Sequence, residues 1–333
     1  MKALVTGGGG FLGKAIVRLL LQKGYQVRSF SRSHYPILEQ LKVEQIVGDL
    51  ADPGSVAAAV SDCDIVFHVA AKAGVWGTLD EYYRPNVLGT QNIIQACLTN
   101  RVKRLVYTSS PSVVFDGTDM EGVDESVPYP DHYHSWYPQT KAMAEQLVLE
   151  ANSNKLATVA LRPHLIWGPE DNHLVPRILE RGRAGALRKI GQKLCLVDSV
   201  YIDNAAKAHI QVADKLDIDS HVSGKAYFIA NDEPLPLWEV VNRILAADNI
   251  SPVSRSIPSN LAYALGWLLE KIYSVFKLSG EPRMTRFVAQ ELSTAHWFDL
   301  SAAKKDFGYQ PEVSVEEGLR RLRTWLQEES RAS

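Results

Sequence analysis

Four consecutive glycines, Gly7 to Gly10, separate an apolar run ending at Thr6 from a stretch of helical spacing that begins near Phe11. A strand, a glycine turn and a helix in that order fit few folds. Glycine there permits a tight turn, close approach of backbone to a ligand, and close packing of helix on strand. The helix start then offers unpaired N–H groups and a partial positive charge to a phosphate. Two registers are open, Gly8-x-Gly10-x-x-Gly13 and Gly7-x-x-Gly10-x-x-Gly13.

The pattern continues beyond the turn. Ala3–Thr6, Gln26–Phe30, Gln45–Val47, Ile65–Val69, Leu105–Thr108 and Thr158–Leu161 read as strands, with helical stretches such as Phe11–Lys23 and Ser55–Val60 between them. This alternation predicts an α/β fold, a Rossmann-type doubly wound parallel sheet with ligands at the carboxyl ends of its strands. We assign residues 1–170 to this nucleotide-binding domain, with a return of the chain near 195–225. Residues 171–330, including a short strand at Ala226–Ile229, read as a smaller, mostly helical substrate-binding lobe.

Composition sets limits. A 333-residue chain with 46% hydrophobic and 22% charged residues can bury a large core. A formal net charge of -2 without a basic run gives no footprint for nucleic acid. Cys63, Cys97 and Cys195 are odd in number and form no C-x-x-C pair, which fits a reducing cytoplasm. A strand starting near the first residue leaves no room for a leader, so the expected location is cytoplasmic. His132-x-His134 lacks a third ligand, so no metal site is expected.

Nucleotide choice is set where the second strand ends. NAD enzymes of this fold place an acidic residue there, about 20 positions after the glycines. Here Ser31 and Arg32 stand in its place, and no Asp or Glu occurs from Phe11 to Leu38. An arginine can pair a 2′-phosphate, so the expected cofactor is NADPH rather than NADH; a solvated surface arginine is the plainer alternative. Asp49 and Leu50 follow the third strand and are expected near the adenine, although Asp49 could equally cap a helix. Val69, Ala70 and Ala71 follow the fourth and leave room for the adenosine.

Tyr137 and Lys141 are four residues apart and so share one face of a helix. A phenol has an ordinary pKa of about 10, and a neighbouring ammonium is expected to lower it. Such a tyrosine gives a proton to a ketone or takes one from an alcohol. A second hydroxyl to hold the carbonyl oxygen is available in Thr108-Ser109-Ser110, and Ser110 is the candidate. Together with the glycine turn, these residues describe an enzyme that moves a hydride to or from a nicotinamide.

These motifs resemble the extended short-chain dehydrogenases/reductases. The resemblance rests on Thr6-Gly-x-x-Gly-x-x-Gly13, Asp49-Leu50, His68-Val-Ala-Ala71, Asn86-Val-x-Gly-Thr90, Tyr107-Thr-Ser-Ser110, Tyr137-x-x-x-Lys141, Arg162-Pro163 with Gly168-Pro169, and Tyr201-Ile-Asp203. Within the family the chain is similar to the 3β-hydroxysteroid dehydrogenase branch. That branch includes sterol-4-carboxylate 3-dehydrogenases and the bacterial 2-alkyl-3-oxoalkanoate reductases of olefin biosynthesis. Leu161–Pro169, His173–Arg177 and Ala70–Gly77 are similar to those reductases in particular.

The resemblance implies Ser110, Tyr137 and Lys141 as the catalytic group. Gly7, Gly10, Phe11 and Leu12 are implied at the pyrophosphate, Tyr137 and Lys141 also at the cofactor, and Pro163 to Ile166 at the nicotinamide amide. Asn86 is implied to order a helix kink, with helix capping as the alternative. A homodimer through helices near Tyr82–Thr99 and Tyr137–Ala151 is implied too. Dehydratases of the same scaffold carry Thr-Asp-Glu where this chain has Ser110-Pro-Ser112, which argues against dehydration.

Substrate polarity is read from apolar residues. Trp76, Trp136 and Trp167 lie near strand ends or the catalytic helix and point to an apolar pocket, with Trp76, Ser110, His164 and Trp167 as substrate contacts. Lys72, His164 and Arg177 are candidates for pairing a carboxylate. Leu261–Leu278 has apolar residues at helical spacing and is too interrupted to span a membrane. It packs on the small lobe or touches a membrane surface or a pathway enzyme. The leading reading is reduction of a long-chain β-keto acid by NADPH. The alternatives are a 3β-hydroxysteroid or sterol-carboxylate dehydrogenase, a nucleotide-sugar epimerase, and a nucleotide-sensing protein without chemistry.

Overall fold

A computed structural model describes residues 1–332. Seven strands form one parallel sheet: β1 (Lys2–Thr6), β2 (Gln26–Ser31), β3 (Glu44–Val47), β4 (Ile65–His68), β5 (Arg104–Thr108), β6 (Ala157–Pro163) and β7 (Lys225–Ile229). Their spatial order is β7-β6-β5-β4-β1-β2-β3. The strand order reverses between β1 and β4, and the crevice beyond their carboxyl ends is where such sheets hold ligands. The fold is a Rossmann-type α/β fold, as the strand–helix alternation predicted.

Alternation along each strand builds two apolar layers. Ala3 and Val5 of β1 pack with Ile16, Val17 and Leu20 of helix α1 (Phe11–Gln22) on one face. Leu4 faces the opposite layer, with Val56 of α2 (Pro53–Val60), Ile93 of α3 (Gly89–Thr99) and Val148 of α4 (Trp136–Glu150). Helix α5 (Ile202–Lys215) lies beside α1 and completes the first layer.

The strand at Ala226–Ile229, placed in the smaller lobe from sequence, belongs to the main sheet. It is β7, parallel to β6 from Lys225↔Val159 to Ile229↔Pro163. Its Tyr227, Phe228 and Ile229 are fully buried. Beyond the sheet, Met120–Val123, Leu196–Val197, Leu235–Pro236 and His296–Phe298 join in a second small sheet. Helices α6 (Ser259–Val275) and α7 (Arg286–Glu291) pack against each other beside it.

One ion pair fixes α4 on the sheet. Glu145 and Arg162 are both buried, and the guanidinium meets the carboxylate at 2.6 Å through Nη2 and 3.0 Å through Nε. Tyr129 donates to the same carboxylate at 2.7 Å. Removing one partner strands a buried charge, so Glu145→Ala should lower unfolding free energy by about 3–5 kcal/mol. Urea denaturation measures this, and a change below about 1 kcal/mol would show that the pair is not needed to hold α4.

Candidate active site

The glycine turn closes at the carboxyl end of β1. Gly7 adopts φ 69°, a left-handed conformation, and its N–H donates to Phe30 O at 2.8 Å. A Cβ at Gly13 would lie 2.1 Å from Gly7 O, and one at Gly10 would lie 3.2 Å from it. The spacing Gly7-x-x-Gly10-x-x-Gly13 is therefore the register that the turn requires. Gly8 and Gly9 are restricted by side chains instead, since a Cβ on Gly9 would fall 2.2 Å from the Tyr35 ring. Gly10 begins α1, with no side-chain cap and no acidic residue in the first turn. The first N–H groups of α1, at Phe11 and Leu12, suit a pyrophosphate.

A buried hydrogen-bond chain joins this turn to α4. Thr6 Oγ1 accepts from the N–H groups of Val69 and Ala70, each at 3.0 Å. Its own proton then goes to His68 Nδ1 at 2.8 Å, which assigns the proton on the ring to Nε2. Nε2–H donates to Thr90 Oγ1 at 3.0 Å, and Thr90 donates to Asn86 O at 2.6 Å. Burial drives the His68 pKa down to about 3, aided by Lys141, so the imidazole is neutral. Asn86 lies in a π-helical turn, Arg84–Leu88. Its side chain accepts from Lys72 N at 2.7 Å and donates to Lys72 O and Thr140 Oγ1, each at 3.1 Å. It orders the kink and is not a helix cap.

Tyr137 and Lys141 lie on α4 and Ser110 just beyond β5. Lys141 is buried, with Nζ donating to Thr108 O at 2.6 Å and lying 4.2 Å from the Tyr107 ring centroid. Desolvation pulls its pKa down to about 7, against the opposing pull of Glu145. The expected depression of the Tyr137 pKa is not found. Withdrawal from water raises it, the Ser110 hydroxyl acts in the other direction, and Glu291 adds to the rise. Ser110 Oγ also accepts Ser112 N–H at 3.2 Å and bonds Ser112 Oγ at 2.9 Å.

The remaining candidates divide. Arg32 is exposed just past β2 and forms no ion pair among the described residues. Asp49 is exposed and accepts from Ala51 N at 2.9 Å, while Asp52 is the residue that caps α2. Leu50 is buried, and a Cβ on Gly89 would lie 2.7 Å from its own. Val69 and Ala70 are half-buried, Ala71 is exposed, and Pro163 and Ile166 flank His164 and Leu165 beyond β6. Leu165 takes φ 44°, a strained left-handed conformation of the kind that clusters at functional sites.

Trp76 is half-buried and meets the Tyr273 ring edge-on at 6.1 Å. Trp167 stands apart from this group. It is fully buried, donates to Ser199 Oγ at 3.1 Å and packs against Tyr201, which makes it a core residue. Trp136 is half-exposed at the start of α4. The three candidate cations are all engaged or neutral. Lys72 pairs with Glu81 at 2.5 Å, Arg177 pairs with Glu281 at 2.7 Å, and burial holds His164 well below its ordinary pKa.

Sequence reading missed Glu291, at the end of α7. Desolvation raises its carboxyl to about 7, and its charge acts on the Tyr137 phenol. No local motif marks it, because its effect on the phenol is electrostatic and comes from a distant part of the chain. Among the described residues no group of three His, Cys, Asp or Glu side chains could hold a metal ion.

Comparisons with known proteins identify the family. The model of the 3-beta hydroxysteroid dehydrogenase/isomerase family matches residues 4–258. A 2-alkyl-3-oxoalkanoate reductase of Shewanella oneidensis is 51% identical over 97% of this chain and 86% of that protein. The sterol-4-alpha-carboxylate 3-dehydrogenase, decarboxylating, of Mus musculus is 35% identical over 96% of this chain and 89% of its own. Among solved structures, MoeE5 in complex with UDP-glucose and NAD is 24% identical, has a TM-score of 0.76, and aligns over 99% of this chain and 100% of its own. That last likeness concerns the fold alone.

The turn can be tested directly. Gly13→Ala forces a methyl group onto the Gly7 carbonyl, and it should abolish nucleotide binding by calorimetry and cost about 1–3 kcal/mol of stability. Unchanged affinity would mean that the turn does not cradle the phosphates. From its sequence and its fold, the chain belongs to the 3-beta hydroxysteroid dehydrogenase/isomerase family and is an NAD(P)-dependent oxidoreductase of the extended short-chain dehydrogenase/reductase type.

Proposed function

We propose that this chain reduces the keto group of a 2-alkyl-3-oxoalkanoate to the 3-hydroxy acid with NADPH, with Tyr137 as general acid. The observation that carries this reading is the Tyr137 phenol beside the Ser110 hydroxyl at the carboxyl end of the sheet. A phenol and a second hydroxyl placed together can donate to a keto oxygen and protonate it as charge develops there. The reductase relative of Shewanella oneidensis supplies the substrate class.

The N–H groups of Phe11 and Leu12 would hold the pyrophosphate, and Asp49, Leu50 and Val69 to Ala71 would surround the adenosine. Arg32 would pair the 2′-phosphate. Pro163, Ile166, Tyr137 and Lys141 would border the nicotinamide end. The bound reduced nicotinamide supplies the hydride. Ser110 and Tyr137 orient the keto oxygen by donating to it. As C3 gains the hydride, the carbonyl π pair moves to oxygen and takes the phenolic proton. The resulting phenolate lies one helical turn from Lys141, and any charge on that lysine favours it.

The sterol-carboxylate dehydrogenase reading uses the same atoms in the oxidative direction and has the 35% identical relative in its favour. It uses Tyr137 as the base, and the 51% identical reductase relative favours the reductive reading over it.

Oxidation of NADPH and NADH, followed by absorbance with a racemic 2-alkyl-3-oxo acid, tests the proposal. Turnover should prefer NADPH, and Tyr137→Phe should lower kcat by about 10²–10⁴-fold without weakening nucleotide binding. Comparable turnover in the variant would remove Tyr137 from the mechanism. Arg32→Ala should lower kcat/KM for NADPH by about tenfold or more and leave NADH unchanged, because it removes a charge-assisted contact made by the phosphate alone. Equal loss with both nucleotides would reduce Arg32 to a structural residue.

A further inference from the structure

Helix α6 is built inside out. Its buried positions are Ala262, Gly266 and Glu270, one face of small residues and one carboxylate. Gly266 lies under backbone, since a Cβ there would fall 2.6 Å from Thr285 C. Glu270 accepts from Arg286 N and Nε, each at 2.7 Å. Leu269 and Ile272 are half-buried, but other large apolar residues point away from the protein: Leu261 is 56% exposed, Trp267 and Leu268 48%, Val275 72% and Phe276 70%. A helix that only covers a core turns such residues inward.

The charges on this surface have one sign. Lys271, Lys277 and Arg283 are exposed and form no ion pair among the described residues. The carboxylates between residues 259 and 285 are Glu270 and Glu281, and both are tied down, Glu270 to Arg286 and Glu281 to Arg177 and Val75 N. The segment from 259 to 285 therefore presents apolar residues and unpaired cations, with both of its carboxylates paired. A second copy of this chain would oppose like charges across the contact. An anionic lipid surface complements both features, and aromatic and basic residues on one helix suit the interfacial position. No helix among the described residues is long and apolar enough to cross a membrane.

We propose that α6 and the segment through Leu278 dock this protein on an anionic lipid surface. The Trp76–Tyr273 contact ties the docked helix to the loop beside the candidate site. On the reductase reading above, docking brings the site to the phase where a long-chain keto acid resides.

Co-sedimentation of the full chain with vesicles tests this without any turnover, so its failure would leave the reductase reading standing. Vesicles of phosphatidylcholine alone are compared with an equal mixture of phosphatidylcholine and phosphatidylglycerol. Binding to the anionic vesicles should be about tenfold stronger or more, and high salt should weaken it. The combined variant Trp267→Ser, Leu268→Ser, Phe276→Ser should lose binding, and Lys271→Glu with Lys277→Glu should lose the anionic preference, both with unchanged melting temperature. No binding, or equal binding to both vesicles, would overturn the proposal. So would self-association abolished by the serine variant in a chain that ignores vesicles.

Discussion

The neutral imidazole of His68, held between Thr6 and Thr90, is the interaction on which the site depends. Thr6 stands immediately before the glycine turn, and its hydroxyl fixes the backbone after β4 through Val69 and Ala70. Thr90 and Asn86 carry the same chain into the π-helical turn, and Asn86 reaches Thr140 on the catalytic helix. The glycine turn and α4 are thus joined by directional bonds in a buried interior, where each bond is strong and each missing one is costly. A charged imidazole could not serve, since it would need two acceptors and Thr6 would lose the partner for its proton.

Burial also sets the chemistry. It pulls Lys141 down to about 7, raises the Tyr137 phenol and lifts Glu291 to about 7. All three shifts favour the neutral form, as desolvation does for acids and bases alike. The Tyr137 phenol is thereby in its protonated form near neutral pH. That state suits reduction of a ketone, in which negative charge develops on oxygen and needs a proton at that moment.

Much of this was legible in the sequence because it is local. Thr6 to Gly13 specify a turn by glycine geometry, and Tyr137 and Lys141 share one helix through sequence spacing alone. Strands β1 to β6 announce themselves by β-branched residues between turn signals. What could not be read depends on distant partners. β7 joins the main sheet by pairing with β6 across more than sixty intervening residues, and nothing in Lys225–Ile229 names that partner. Trp167 lies next to the nicotinamide candidates in sequence, yet its indole is a core group bonded to Ser199. Lys72 and Arg177 are neutralised by Glu81 and Glu281, pairings that spacing does not reveal. In α6 the apolar spacing was visible, but not which face the small residues Ala262 and Gly266 would bury.

The central claim is direct hydride delivery to a keto carbon with protonation by the enzyme. It is tested most directly with NADPH deuterated at nicotinamide C4, each face labelled in turn, and product analysis by mass spectrometry. The account predicts one deuterium at C3 of a 3-hydroxy acid from one labelled face and none from the other. Turnover with no deuterium at C3 from either face, or conversion of the substrate without net oxidation of the nicotinamide, would contradict it.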